Sequence, residues 1–589
     1  MIFCIGNNII SSLGFSAKEN YEAVLKGQTG LSLHEGTFDI PEPFFASLID
    51  DERLYNELIL NFKDEDLSSF TRFEKLLLLS VKKANDEAEI DLSKKNTLFI
   101  LSTTKGNVSY LSDEMDEKVY LWHSAKKISS YFGNTNEPLV ISNACISGAA
   151  AQVEALRLIE NGFYEQVVVV GGEVLSKFII SGFQSFKALS QEQCQPFDKN
   201  RHGLNLGEAA ATIIYSKENK TDSNITLIKG SIRNDARHIS APSIEAEGLY
   251  NCLVAITEDI DKEDIAFVNA HGTATIYNDE MEALALNRIA LQHLPTNSLK
   301  AHFGHTLGAA GLLESIISMQ ALQDGRVLKS TNCHEVGAKH DINVALETAN
   351  TDKSMFVKMV SGFGGSNAAL LFKKIENIKD NHDIKSEAYN VDVETIIEGK
   401  LKDNVIYIND IRHELDDMSA NILDAFYRKE KISYPKFFKM DSLSKAGFIV
   451  SELMLREAGF DVDTPKKDMA IILCNRSSSS DDDLLYLQSI KDKDNYFPSP
   501  SVFVYTLPNI VAGEMAIRNK IFGETSFYVS ENYSKEMMLR QVKNVLSTKS
   551  VNYVLYGWVE ILKDKYEVEL SALYSAISLL YSFTASGVK

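Results

Sequence analysis

The chain has 589 residues, of which 44% are hydrophobic and 24% are charged. That mix is typical of a folded globular protein, so a disordered or fibrous chain is excluded. At about 150 residues per domain, the length predicts roughly four domain-sized units. The 60 basic and 81 acidic residues give a net charge of −21. Because phosphate backbones bind basic faces, this balance argues against a nucleic-acid partner.

The cysteines and the apolar segments indicate the compartment. Six cysteines, with no CxxC pair among them, are typical of reduced thiols in a cytoplasmic protein. The N-terminal segment has no basic region ahead of its apolar residues, so we expect no signal peptide, and we expect no membrane span. The closest candidate for a span, the uncharged residues 570–588, carries a serine every three or four residues, which predicts a packed or partner-facing helix.

Residues 1–374 alternate β-rich apolar runs with amphipathic stretches. The strands predicted from these runs are 97–102, 167–172 and 265–270, and the helices are 73–88 and 148–162. Strands that alternate with helices predict a layered α/β fold.

The rest of the chain is similar to a second, incomplete copy of the first part. Residues 375–404 are charged and lack a core pattern, so we predict a linker there. Within residues 405–589, three segments resemble earlier ones in sequence. Residues 405–415 resemble the N-terminus, residues 465–475 resemble 93–103, and residues 551–560 resemble 164–173. A repeat of this length predicts a duplicated domain, and this copy stops after its first half.

One cysteine lies where a strand is predicted to end and a helix to begin. The apolar run that ends at Ser142 leads into Cys145, and Gly148 with its neighbouring alanines opens the helix. The positive end of a helix dipole favours a thiolate, and small residues permit close packing. A cysteine considered alone is more often a small buried hydrophobe.

Two histidine motifs change that balance. Residues 269–275, NAHGTAT, follow a predicted strand directly, and residues 300–311, KAHFGHTLGAAG, contain His305 between glycines. Each motif places a histidine at a strand end in a glycine-flanked turn, where a side chain can be aimed into a cleft. Together with Cys145 they indicate a nucleophile and its supporting histidines.

These segments, in this order, resemble the decarboxylating β-ketoacyl synthases. The matching motifs are SNACISGAAA around Cys145, NAHGTAT around His271, KAHFGHTLGAAG around His305, SGFGGSN around Phe363 and PFDKNRHGLNLGEAAA at 196–211. The resemblance covers residues 1–374 and implies a thiolase-like αβαβα fold of two similar halves. It implies an acyltransferase, a β-ketoacyl synthase of fatty acid or polyketide-type synthesis.

The resemblance implies a role for each residue of the set. Cys145 would take an acyl group from the phosphopantetheine thioester of an acyl carrier protein. The Nε2 groups of His271 and His305 would stabilise the enolate that forms when a malonyl unit loses CO₂. The backbone N–H groups of Cys145 and Phe363 would bind the oxyanion of the condensation step, and Phe363 would act as a gate.

Supporting residues follow from the same resemblance. Lys300 would fix the second histidine loop through Glu314, and the hydroxyls of Thr273 and Thr275 suit the amides of the pantetheine arm. Ala274 departs from the glycine that the family usually has. No metal or cofactor is implied, since the substrates travel on the phosphopantetheine, and His302 and His334 are interpreted as structural.

The C-terminal copy lacks the residues for this chemistry. Aligning Glu173 with Glu560 maps Cys145 onto Asn532, or onto Glu531 after a shift of one residue. We therefore predict a degenerate half domain that resembles a chain-length-factor partner. It would occupy a dimer surface, shape the acyl tunnel or only stabilise the chain. The expected partners are a carrier protein and a ketosynthase-like subunit in a homodimer or heterodimer.

Other possibilities stay open at this point. The first is a malonyl-carrier decarboxylase without condensation, against which Cys145 argues. The second is a non-catalytic partner of another synthase, against which the intact cysteine and histidines of residues 1–374 argue. The pathway is predicted as a specialised one, aryl polyene or flexirubin pigment synthesis. The run from Ser477 to Asp483 is interpreted as a helix start.

Overall fold

The structure is a computed structural model that describes residues 1–63, 65–219, 221, 224–375, 391–415, 421–492, 496–563 and 565–575. We divide it into three units in chain order. The first unit contains β1 (Ile2–Ile10), α1 (Ala17–Leu25), β2 (Ser32–His34), β3 (Phe44–Ser47), α2 (Asp51–Asn61), α3 (Arg72–Ala88), β4 (Thr97–Ser102), α4 (Leu121–Tyr131), β5 (Leu139–Ile141), α5 (Ser147–Glu160), β6 (Gln166–Glu173), α6 (Lys177–Ser185), β7 (Leu206–Gly207) and β8 (Ala209–Ser216).

The second unit completes the part that the family resemblance covers. It contains β9 (Ile225–Asn234), α7 (Glu247–Thr257), β10 (Ile265–Asn269), α8 (Ile276–Arg288), β11 (Thr296–Asn297), α9 (Lys300–Phe303), α10 (Ala310–Gln323), β12 (Arg326–Val327), β13 (Ala349–Asn350), β14 (Met355–Gly362) and β15 (Ser366–Lys374).

The third unit, which we call the tail unit, follows residue 390. It contains β16 (Val393–Lys402), β17 (Val405–Ile408), β18 (Ile411–His413), α11 (Ile422–Lys429), α12 (Ser442–Glu457), β19 (Met469–Asn475), α13 (Ser480–Lys491), α14 (Pro500–Phe503), α15 (Ile510–Asn519), β20 (Thr525–Val529), α16 (Lys535–Leu546), β21 (Tyr553–Leu562) and β22 (Lys565–Ser575).

The first two units form the layered α/β fold that the sequence predicts. Their sheets have the strand orders β5-β4-β6-β8-β1 and β11-β10-β14-β15-β9, and the β1–β9 pairing joins them. Helices α5 and α10 pack against each other and against both sheets, and α5 is buried from Ser147 to Ile159. Strands such as β6 are buried along their whole length, which explains their continuous valine run.

The tail unit repeats the sheet of the first unit. Its strand order is β20-β19-β21-β22-β16, so each strand has a counterpart in β5-β4-β6-β8-β1. Helix α12 packs on β16, β21 and β22 as α3 packs on β1, β6 and β8. An incomplete copy of the thiolase-like half, as predicted, therefore follows the first two units.

The boundary of this copy differs from the predicted one. Residues 375–404 were expected to form a linker, but Val393–Lys402 form β16, which takes the place of β1 and pairs with β22. The predicted correspondence between residues 405–415 and the N-terminal strand is therefore wrong. These residues form β17 and β18, which extend the sheet beyond the free edge of β16. The alternating apolar residues of β16 are too diluted by charge to stand out in the sequence.

The strand registers agree with the alignment of the two copies. In the first unit Ile100 pairs with Leu139, and in the tail unit Ile472 pairs with Ser526. The step from Leu139 to Ser526 is 387 residues, the same as from Glu173 to Glu560. The strand pairing therefore supports the same step of 387 residues, which makes Asn532 the counterpart of Cys145.

The C-terminal helix prediction is wrong over its described part. Lys565–Ser575 form β22, which pairs with β21 on one side and β16 on the other, and the rest of the segment lies outside the described residues. A spacing of four residues fits one face of a strand as well as one face of a helix, so the serine pattern does not distinguish them. Within the described ranges, none of the helices has the length and apolarity that a membrane crossing requires.

The tail unit joins the first unit along a strand edge. Tyr528 of β20 lies opposite Ile141 of β5 in an antiparallel pairing, and Ser142 N donates to Phe527 O at 3.1 Å. Arg157 of α5 forms a buried bidentate pair with Glu524 at 3.0 and 2.7 Å. The strand that leads to Cys145 is thus held from one side by the tail unit.

A second buried ion pair crosses the same boundary. Lys105 Nζ lies 2.6 Å from Asp483 Oδ1 and 3.2 Å from Ser479 Oγ, with both charged side chains less than 10% exposed. Asp483 lies in the first turn of α13, so the predicted helix start at this serine and aspartate run is confirmed. Burial nevertheless raises the pKa of Asp483, because desolvation outweighs Lys105.

We expect Lys105→Met to lower the free energy of unfolding by about 3 kcal/mol, because it leaves a buried carboxylate without its partner. The double variant Lys105→Met, Asp483→Asn should recover a large part of that loss. Denaturant titration of both variants measures the loss and its recovery. Equal losses in the single and double variants would contradict this prediction.

Candidate active site

Cys145 lies at the junction between β5 and α5. Ala144 just before it has a φ of 49°, a left-handed conformation that turns the chain sharply after the strand. Gly148 faces Gly308, where a Cβ would come within 2.9 Å of the carbonyl oxygen. The expected close packing at this helix start is therefore confirmed, and it brings the His305 loop next to the cysteine.

The two predicted histidines meet this cysteine in one cleft. His271 follows β10 as predicted. His305 follows the short helix α9, so its predicted place at a strand end is wrong. Their rings are 4.9 Å apart at an interplanar angle of 84°, and one side-chain ligand atom of each residue, with Cys145 Sγ, lies within 4.8 Å of the others. Both imidazoles are buried, so the three groups form one compact reaction centre.

The hydrogen bonds around the histidines select a tautomer. His305 Nδ1 accepts from Leu307 N at 3.3 Å, and Lys300 Nζ lies 3.5 Å from His271 Nδ1. An Nδ1 atom that faces a donor leaves the proton on Nε2 in a neutral imidazole. Burial, together with nearby Lys300, lowers the pKa of both histidines well below the usual value, so both are neutral Nε2–H donors.

The cysteine is a thiol in this state. Burial raises the pKa of Cys145 to about 12, while Lys300 and the backbone N–H groups of Cys145 and Phe363 act in the opposite direction. Desolvation therefore outweighs the effect of the helix start, which favours a thiolate. The same two N–H groups face the sulfur, at the place where an acyl carbonyl on Cys145 would lie.

Glu314 forms buried ion pairs with two lysines. Lys300, the predicted partner, forms a short contact with its Oε1, and Lys358 Nζ is 2.6 Å from Oε2. Burial raises the pKa of Glu314, but the two ammonium groups outweigh it and keep the carboxyl ionised. The sequence analysis missed Lys358, although a lysine within the apolar run of β14 was a signal for a buried partner.

The loop of Phe363 is held by the tail unit. Gly364 has a φ of 87°, and a Cβ there would come 2.6 Å from Asn509 Nδ2. Asn509 Nδ2 also donates to Phe363 O at 2.9 Å. Asn509 was not singled out in the sequence, since it lies outside the motifs and reaches this loop only through the packing of α15.

A cleft of about 420 Å³ leads from solvent to the cysteine and both histidines. Thr273 and Thr275 line it, with their hydroxyls 2.9 Å apart. Ala274 between them has a φ of 63°, which explains why glycine is favoured at this position. Both threonines thus line the cleft that leads to Cys145. His302, whose Nδ1 is 2.5 Å from Gln28 O, is buried and does not line it.

On its other side Cys145 borders a smaller pocket of about 20 Å³. The first two units contribute its near wall, and the tail unit contributes the far wall. The far-wall residues are Phe503, Thr506 and Leu507. A Cβ at Gly182 would lie 2.1 Å from the Phe503 ring, so the ring fits only because that residue is glycine.

Comparison with known families decides the identity. Residues 2–220 match the family description "Beta-ketoacyl synthase, N-terminal domain", and residues 226–334 match "Beta-ketoacyl synthase, C-terminal domain". The chain belongs to the β-ketoacyl synthase family. This synthase is therefore an acyltransferase of the condensing type that acts in fatty acid or polyketide synthesis.

Individual relatives agree with this assignment. The synthase is 25% identical over 413 residues to 3-oxoacyl-[acyl-carrier-protein] synthase 2 of Staphylococcus aureus (strain COL). The match covers 63% of this chain and 97% of that protein. The solved ishigamide ketosynthase/chain length factor has a TM-score of 0.58 at 22% identity, covering 64% of this chain and 99% of that one.

A further structure extends the likeness beyond the first two units. The PfaC keto synthase–chain length factor has a TM-score of 0.78 at 15% identity, and the match covers 98% of this chain and 78% of that one. At this identity the match shows the fold alone. It confirms that the tail unit belongs to the thiolase-like architecture.

Proposed function

We propose that this synthase joins an acyl group held on Cys145 to a malonyl unit delivered by an acyl carrier protein. One observation carries the proposal: the sulfur, two neutral Nε2–H donors and two backbone N–H groups converge at one end of an open cleft. The set matches the needs of thioester exchange and of a decarboxylation without a metal.

In the first step the Cys145 sulfur attacks the thioester carbonyl of the acyl carrier. The sulfur–carbon bond to pantetheine breaks, and the thiol proton of Cys145 ends on the pantetheine sulfur. The N–H groups of Cys145 and Phe363 stabilise the tetrahedral oxyanion. Because the resting cysteine is a thiol, these donors and the Nε2–H groups also stabilise the sulfur as it loses its proton.

In the second step a malonyl thioester occupies the same cleft, with its arm along Thr273 and Thr275. Its carboxylate leaves as CO₂, and the electron pair becomes an enolate whose oxygen accepts from the Nε2–H groups of His271 and His305. The enolate carbon then attacks the acyl carbonyl on Cys145, the thioester bond to Cys145 breaks, and a 3-oxoacyl thioester remains on the carrier. The cysteine thiolate regains a proton from solvent.

The experiment supplies an acyl carrier and a malonyl carrier together and identifies the products by mass spectrometry. We expect a 3-oxoacyl carrier whose formation matches the CO₂ released. Malonyl loss that yields only acetyl carrier would instead support the decarboxylase alternative. The pigment pathway, aryl polyene or flexirubin, stays a prediction. Identifying the final product in cells that make this protein would test it.

We also propose that the tail unit takes the place of a chain-length partner within the same chain. It forms the far wall of the small pocket beside Cys145, where an acyl chain would lie. Its β20 pairs with β5, and Asn509 binds the Phe363 loop. Its Asn532 at the cysteine position cannot form a thioester. The tail unit would thus set the size of the acyl group without performing chemistry.

Phe503→Ala tests this role. The Phe503 ring lies edge-on to the Phe183 ring, with their centroids 5.7 Å apart, and it forms part of the far wall of the pocket beyond Cys145. We expect the variant to accept acyl groups several carbons longer and to release longer products, measured by mass spectrometry of the carrier-bound chains. Phe497→Ala, at an exposed phenylalanine of the same unit, is the matched control. The same chain-length distribution in both variants would contradict the proposal.

The carrier protein also needs a docking surface, and we propose the mouth of the cleft for it. Lys187 and His202 line that mouth, and both are exposed. An exposed lysine at this cleft of an acidic protein suits an acidic carrier through charge complementarity.

A further inference from the structure

A buried lysine lies behind the two histidines, and the steps above do not use it. Lys358 lies on β14, where its partner on the parallel strand β10 is Asn269, two residues before His271. The Lys358 side chain is 0% exposed. Its Nζ lies 2.6 Å from Glu314 Oε2 and donates to Ala270 O at 3.2 Å.

This lysine adds a second buried positive charge to the cluster around Glu314. Glu314 is one carboxylate between two ammonium groups, Lys300 on one oxygen and Lys358 on the other. Burial lowers the pKa of Lys358 to about 8 even though Glu314 acts in the opposite direction, so the side chain is still charged at neutral pH. Two buried ammonium groups therefore share the Glu314 carboxylate behind the imidazoles, and the Glu282 carboxyl lies on the other side of the His271 loop.

The same lysine holds the backbone next to His271. Glu282 accepts from the N–H groups of His271 at 2.6 Å and Gly272 at 2.7 Å, on one side of the loop. Lys358 binds the Ala270 carbonyl on the other side. The orientation of the His271 ring thus depends on a carboxylate and an ammonium that hold consecutive peptide groups.

We propose that Lys358 is a positioning residue for the decarboxylation step. It orients Glu314 and the Ala270 carbonyl, and it supplies the second buried positive charge behind both imidazoles. The inference rests on the proposed role of His271 and His305 as neutral donors to the enolate oxygen. Lys358 does not touch the reacting atoms, and it acts through the groups that do.

The proposal has a consequence for pH dependence. Several charged or titratable groups lie around the two imidazoles: Cys145, Glu173, Asp279, Glu282, Lys300, Glu314 and Lys358. Burial and then the two lysines lower the pKa of each histidine, so the neutral form persists to low pH. Removing the charge of Lys358 raises the pKa of both histidines, and activity is then lost at a higher pH on acidification.

The experiment compares Lys358→Met, which removes charge and donor, with Lys358→Gln, which keeps a donor. The readout is CO₂ release from malonyl carrier as a function of pH. We expect both variants to lose roughly tenfold to a hundredfold in rate. We also expect the acid limb of both profiles, the pH range in which the rate falls on acidification, to move to higher pH. Lys358→Arg should return the acid limb to its wild-type position. A lower rate with an unmoved limb would show a purely structural role and overturn the proposal, as would an unchanged rate.

Lys466→Met is the matched control, since Lys466 is a buried lysine of the tail unit that donates to the carbonyls of Asp461, Thr464 and Asn519. It should lower stability without moving the acid limb. Acyl transfer to Cys145 separates the two levels of inference. If the wild type is not acylated, the proposed function fails. If it is acylated and the Lys358 variants keep the wild-type profile, only the role of Lys358 fails.

Discussion

Replacing Cys145 by glutamine is expected to abolish condensation and to leave decarboxylation of malonyl carrier in place. The variant cannot form a thioester, so condensation should fall at least about a thousandfold. His271 and His305 keep their geometry, and the glutamine carbonyl can accept from the N–H groups of Cys145 and Phe363 as an acyl group would. Parallel assays of CO₂ release and of 3-oxoacyl product measure the two activities.

The control for this variant is Cys474→Ala, which removes a buried cysteine of the tail unit. It should leave both activities close to the wild-type values. Loss of decarboxylation together with condensation in Cys145→Gln would contradict the division of labour between the cysteine and the histidines.

Replacing His305 by alanine should have the second large effect. His305 Nε2 has no hydrogen-bond partner among the described residues, and it faces the cleft as a donor that is free for substrate. Removing one donor to a developing oxyanion lowers kcat by about a hundredfold to a thousandfold. Decarboxylation and condensation should therefore fall together, and by more than the acylation of Cys145, for which His271 and the N–H groups of Cys145 and Phe363 remain.

Two further variants make the His305 test specific. His305→Asn keeps a donor near the same place and should retain more decarboxylation than the alanine variant. His302→Gln alters a buried histidine of the same segment that contacts Gln28 O outside the cleft. It should reduce stability more than decarboxylation. Wild-type decarboxylation in His305→Ala would remove this residue from the reaction.

The sequence predicted the parts of the fold that local pattern determines. β4 matches the predicted strand at 97–102, and α3 and α5 begin one residue before their predicted starts. These elements have uniform apolar runs or strong helical periodicity, so tertiary context does not override them. The short motifs around Cys145, His271 and His305 likewise indicated groups that the structure brings together.

Contacts between distant segments could not be read from the sequence. Phe503 and Asn509 lie 140 and 146 residues beyond Phe363, and no local pattern connects them with the Phe363 loop or the pocket beside Cys145. β16 was missed because charged residues interrupt its apolar alternation, and β22 because serines spaced by four fit a strand and a helix equally. The thiol state of Cys145 depends on desolvation, which the position at a helix start does not show.

The most direct test of this account is the mass of the intact protein after incubation with an acyl carrier alone. The account predicts that the wild-type chain gains one acyl group, that peptide mapping places it on Cys145, and that Cys145→Ala gains none. A wild-type chain without the added mass, or an acyl group that persists in Cys145→Ala, would contradict it.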